Sequence, residues 1–88
     1  MELGQIIEAL YESEINCSVF TFWDAGINVR LGDVMNGFIA ETDCKTTIEA
    51  AEFLDRAARE KFLDSAYALG KKEWERRNKA RHDRLRNN

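Results

Sequence analysis

Between Gly26 and Gly32 the strict alternation of Ile27, Val29 and Leu31 with Asn28 and Arg30 restricts the fold more than any other feature of this chain. A period of two puts the three aliphatic side chains on one face of an extended strand, and the amide and guanidinium on the other. Such a strand needs an apolar cover on one side only, and hydrogen-bonding neighbours at both edges. The flanking segments supply those neighbours. Upstream, Ile15, Cys17, Val19, Phe20, Phe22 and Trp23 form an aromatic and β-branched stretch that Asp24-Ala25-Gly26 interrupts. Downstream, Gly32-Asp33 and Asn36-Gly37 bracket a short connection to Phe38-Ile39-Ala40-Glu41-Thr42. Short connections containing glycine favour antiparallel hairpins, so a three-stranded antiparallel meander is predicted.

Helical spacing flanks the strands on both sides. Leu3, Ile6, Ile7, Leu10 and Tyr11 form a stripe over residues 2–13, with Glu2, Glu8 and Glu12 off it. Thr46-Thr47-Ile48-Glu49 has the pattern of a capping box, which marks the start of a second helix. Its expected inward stripe is Ile48, Ala51, Leu54, Ala58 and Phe62, widened by Phe53 and Ala57. Burying a large side chain yields roughly 1.5–3 kcal/mol, against about 1–2 kcal/mol per residue of ordering entropy. This helix therefore needs the sheet. A turn near Asp64-Ser65 leads to Ala66, Tyr67 and Leu69 and then, past Gly70, to a charged run of high helix propensity. The predicted class is α+β: a two-layer α-β-β-β-α unit with both main helices on one sheet face, and an extra basic C-terminal helix. The corresponding division is an acidic domain over residues 1–65 and a helical tail over 66–88.

That division coincides with a split in charge. Residues 1–65 carry five Lys/Arg against thirteen Asp/Glu, a net −8, and residues 66–88 carry eight against three, a net +5. The sign of a surface field selects partners without dictating the fold. Apolar runs are only a few residues long, so none approaches the roughly 20 residues of a membrane span. Met1–Leu10 contains Glu2 and Glu8 and has no basic segment ahead of an apolar one, unlike a secretory signal. A cytoplasmic setting is expected. Cys17 falls at the start of the first strand and Cys44 beyond the end of the third, at opposite ends of a meander, so both should be free thiols.

The titratable inventory is thin. His82 is the only histidine and sits in the charged tail; with two separated cysteines the chain lacks the ligands of a structural zinc site. Asp24, Asp33, Glu41 and Asp43 have no diagnostic spacing, and no glycine-rich phosphate loop is present. The expectation is a non-enzymatic protein with no cofactor, no metal, no small-molecule substrate and no membrane contact.

Interaction surfaces are better represented. On the first strand Ile15, Cys17, Val19 and Trp23 share one parity, and Phe20 and Phe22 the other. Helices on one face would leave one aromatic set open, unless the tail around Tyr67, Leu69 and Trp74 or a second copy of the chain covers it. Phe20, Phe22, Trp23, Arg30 and Trp74 are therefore the candidate protein-binding residues, and a homodimer is one form such binding takes. The alternative is nucleic-acid contact through Lys71, Lys72, Arg76, Arg77, Lys79, Arg81 and Arg84, a run interrupted by Glu73, Glu75 and Asp83.

The order helix, three strands, helix resembles that of double-stranded-RNA-binding domains, which read RNA by shape. In those domains a basic cluster opens the second helix. Here the corresponding stretch is Lys45-Thr46-Thr47-Ile48-Glu49-Ala50-Ala51-Glu52, with one Lys and two Glu. In size, acidity and element order the chain is also similar to small phage-encoded inhibitors, including some anti-CRISPR proteins, a likeness that implies a protein partner or mimicry of nucleic acid.

Overall fold

A computed structural model describes residues 1–86, with side chains through Lys79. The elements run α1 (Leu3–Glu12), β1 (Cys17–Phe22), β2 (Gly26–Asp33), β3 (Gly37–Cys44), α2 (Thr47–Lys61), α3 (Ala66–Leu69) and α4 (Lys71–Arg86). The strands form one antiparallel sheet in the order β1-β2-β3, as expected of an α+β meander. No described helix is long and apolar enough to cross a membrane.

Val29 and Leu31 of β2 are fully buried and meet Leu10 and Ile6 of α1 and Leu54 of α2 in one core. Register makes the core face continuous: Cys17 lies opposite Leu31 and Val19 opposite Val29, while Leu31 lies opposite Ala40 and Ile27 opposite Cys44. The buried face of α2 is mostly alanine, Ala50, Ala51, Ala57 and Ala58 around Leu54. Small side chains let this helix sit close to β2 and β3, and α1 packs against it in turn. The two cysteines end up four residues and two strands apart, on the order of 16 Å, and both are free.

Three residues of the expected stripes turn outward, Ile48, Tyr11 and, at 36% exposure, Ile7. Ile48 is 69% and Tyr11 82% exposed. Ile48 precedes Leu54 by six residues, which places it about 120° around the helix from the buried line. Tyr11 is displaced by a similar angle from the line through Ile6 and Leu10. Tyr67 is drawn inward instead: it is buried in the core, and its hydroxyl donates to Asp55 Oδ1 at 2.6 Å. The packed unit thus extends past Ser65, whose Oγ accepts from the Ala68 N–H and caps α3.

Local signals explain the element ends. Thr46 Oγ1 accepts from the Glu49 N–H at 3.1 Å, as the capping pattern requires. Glu49 reaches back one residue further than a standard box, accepting from the Lys45 N–H at 3.2 Å. At the end of α1 the Ile15 N–H bonds Leu10 O and the Glu14 N–H bonds Tyr11 O, the paired bonds of a Schellman motif. Its left-handed position is Glu14, at φ 62°, where glycine is usual.

The radius of gyration, 15.3 Å, exceeds the about 12 Å of a compact 88-residue domain. The difference reflects the length of α4, which extends the molecule to 57 × 28 × 17 Å.

Two measurements check this description. Glu14→Gly relieves the left-handed strain and should raise unfolding stability by about 0.5–1 kcal/mol in urea titration, since a non-glycine residue there costs on that order. Burial opposes ionisation of Asp55, but hydrogen bonds from Tyr67 and Arg59 outweigh it and hold the carboxyl below its usual range. A depressed carboxylate pKa contributes stability that is complete above the unfolded value, about 4, and is lost as pH falls through the folded value. Stability should therefore decline below about pH 4, and Tyr67→Phe should reduce the size of that decline.

Candidate interaction site on the open face of the sheet

Alternation along the strands sends Ser18, Phe20 and Phe22 of β1 and Asn28 and Arg30 of β2 to the face away from the helices. Simple alternation would place Phe38 on the core side with Ala40. A bulge prevents this: Leu31 pairs with Ala40, but Gly32 pairs with Phe38, leaving Ile39 as the extra residue. Phe38 is thereby moved to the open face. Gly32 makes the bulge possible, because it sits at φ +103° and a Cβ there would lie 2.7 Å from Gly37 O and 3.1 Å from Ile39 N.

The result is a cluster centred on Arg30. Its guanidinium carbon lies 5.3 Å from the Phe20 ring centre and 4.9 Å from that of Phe38, one ring contributed by each neighbouring strand. Each such contact is worth about 0.5–1 kcal/mol at a partly exposed site. Arg30 Nε donates to Asn28 Oδ1 at 2.9 Å and lies 2.7 Å from Glu41 Oε2. Asn28 Nδ2 in turn donates to Asp43 Oδ1 at 2.8 Å. The terminal amino groups of Arg30 make no hydrogen bond among the described residues, so they remain as donors for a ligand. Phe20, Phe22, Ala25, Asn28, Arg30 and Asp43 line a shallow open groove of about 610 Å³ beside this cluster.

Exposure on this face is high for aromatic residues: Phe20 44%, Phe22 53% and Phe38 37%, with Trp23 at 99% in the β1–β2 turn. Phe20, Phe22 and Arg30 are thus brought together, and Trp23 stands at their margin. Trp74 is elsewhere. It lies half-buried on the helical side, in a crevice with Ala9, Ser13, Arg59 and Tyr67. Neither Tyr67, Leu69 nor Trp74 covers the open face. Phe38 is the site residue that sequence patterning did not single out, since the bulge that recruits it changes the parity of β3. Asn28, on the outer face by alternation, and the carboxylates Glu41 and Asp43 join it through their contacts with Arg30 and with each other.

The basic candidates divide differently. Glu73 receives hydrogen bonds from Arg76, Nε at 3.0 Å and Nη2 at 2.7 Å, and from Arg77 Nε at 2.9 Å. These bonds hold its carboxyl at about 2, well below the ordinary range. Arg77 also lies 3.5 Å from Asp64. Lys71, Lys72 and Lys79 are exposed on α4. The side chains of Arg81 and Arg84, like that of His82, lie outside the described residues. Among the described residues no group of three or more His, Cys, Asp or Glu side chains is arranged to hold a metal ion.

No protein-family model, curated protein or solved structure matches this chain.

Gly32→Ala should cost about 1–3 kcal/mol, the usual range for a residue forced into a sparsely allowed conformation. It should also shift the Arg30 Nε–H resonance in NMR spectra, as the Phe38 ring leaves the guanidinium. Phe38→Ser should move the same resonance and cost about 1–2 kcal/mol, the lost cation–π contact together with the buried part of the ring.

Proposed function

We propose that the chain is a small non-catalytic interaction domain of the cytoplasm, and that its open sheet face binds a protein bearing an apolar patch rimmed by cationic groups. The observation that carries this reading is the exposed set Phe20, Phe22 and Phe38 on a face that no element of the described chain covers. Contiguous exposed aromatic surface is uncommon on small monomers, and aromatic anchors supply much of the energy of protein interfaces. Partner chemistry follows from charge. The net −8 of residues 1–65 attracts a cationic surface, and Asp43 lies in the aromatic groove itself. The unengaged donors of Arg30 suit a main-chain carbonyl or carboxylate at the centre of the contact.

A second reading, nucleic-acid contact through α4, is supported by the exposure of Lys71, Lys72 and Lys79 on the helix that lengthens the molecule. It is weakened by the engagement of Arg76 and Arg77 with Glu73 and by the half-buried position of Trp74.

One set of titrations separates the two. For the protein reading, a partner recovered with the wild-type chain should be lost with Phe20→Ser, Phe22→Ser and retained with Lys71→Gln, Lys72→Gln, Lys79→Gln. For the nucleic-acid reading, duplex and single-stranded probes should bind at low salt, with affinity falling steeply as salt rises, and only the lysine variant should abolish it. Recovery of the same proteins by the wild type and the phenylalanine variant would overturn the first reading.

A further inference from the structure

β1 and β3 are both edge strands, but they are guarded differently. Glu41 and Asp43 put charge along β3, and α2 lies against β2 and β3. Cys17–Phe22 has no charged residue, no proline and no glycine, and the helical layer is centred away from it. Such an edge is a template for another strand.

Its geometry can be specified. The Gly32 N–H donates to Asn16 O at 2.8 Å, which makes Asn16 and Gly32 a hydrogen-bonded pair. By antiparallel alternation Ser18, Phe20 and Phe22 also direct their N–H and C=O groups toward β2, and Cys17, Val19 and Thr21 direct theirs outward. None of these outward groups takes part in a turn, loop or cap bond among the described residues.

We infer that the outer edge of β1 is the seam of a homodimer in which two copies of the chain pair their β1 strands antiparallel, with Val19 opposite its own symmetry mate. In that register Cys17 faces Thr21 of the other copy, and three narrow pairs supply about six inter-chain hydrogen bonds. Identical strands meeting antiparallel are related by a two-fold axis, so the contact closes on itself. Parity is preserved: Val19 stays on the core face and Phe20 and Phe22 on the open face, giving one six-stranded sheet with a doubled aromatic surface. Charge favours the same seam. Pairing through β3 would bring Glu41 and Asp43 against the like charges of the other copy, whereas β1 carries no charged residue. Six residues of pairing span only about 20 Å, which places the seam at the small end of specific interfaces. The dimer is therefore weak and concentration-dependent. It does not rest on the protein-binding reading, because the open face is left free.

Sedimentation velocity between about 5 µM and 1 mM reads it, a range that brackets micromolar to millimolar dissociation constants. The mass of the wild-type chain should rise from 10.2 kDa toward twice that value. Thr21→Pro removes one outward N–H without touching the β2 ladder, and Thr21→Lys charges the edge. Each should weaken the dimer at least tenfold with circular dichroism unchanged, and Phe22→Ser should leave it in place. A wild-type chain that stays monomeric throughout overturns the proposal. So does a dimer of wild-type affinity in Thr21→Pro, or in Thr21→Lys if the proline variant does not fold.

Discussion

Burial of Val29 and Leu31 beneath the alanine face of α2 is the contact on which the molecule depends. It fixes which side of the sheet is inside, and a strand period of two then fixes every other side chain on the three strands. Slipping β2 by one residue would put Asn28 and Arg30 into the core. The alanines matter as much as the aliphatic residues, because a helix with small contact residues approaches its sheet closely and leaves few voids. The same closeness limits what α2 covers: it sits over β2 and β3, α1 packs beside it, and β1 has its main contacts with β2 alone.

Gly32 provides the second constraint, and it links backbone to surface chemistry. A residue without a Cβ accepts the close approach of Gly37 O, the approach allows Ile39 to bulge, and the bulge moves Phe38 from the core side to the open side. Arg30 then has a ring on either flank rather than one. Its ion pair with Glu41 is a surface pair of modest value by itself. Combined with two rings and Asn28, it holds a long side chain in one position and exposes donors that would otherwise be engaged or mobile.

Much of this architecture was legible in the chain. The alternation of residues 27–31 identified the central strand, Thr46 identified the start of α2, and Gly26 and Gly37 marked the hairpins. Phe20, Phe22 and Arg30 followed from parity and meet on one face. What escaped were features set by tertiary angle or by a single irregular residue. Ile48 and Tyr11 fit an apolar stripe within wide limits, and only the position of the buried line decides that they lie off it. Phe38 was hidden because parity fails at a bulge. Trp74 has no local signal for the crevice it occupies, since Ala9, Ser13, Arg59 and Tyr67 come from three different elements. Tyr67 falls in the tail by sequence position, yet its hydrogen bond to Asp55 ties that segment to the core.

The distribution of opposite charge along a molecule 57 Å long has a further consequence. A net-negative globule carrying a net-positive helix separates opposite charge within one molecule and so has an electric dipole. An approaching charged surface is turned by such a field before contact, the positive end toward anionic groups and the negative end toward cationic ones. Mobile ions confine that influence to about 8 Å in physiological saline, so it steers only the last moments of an encounter.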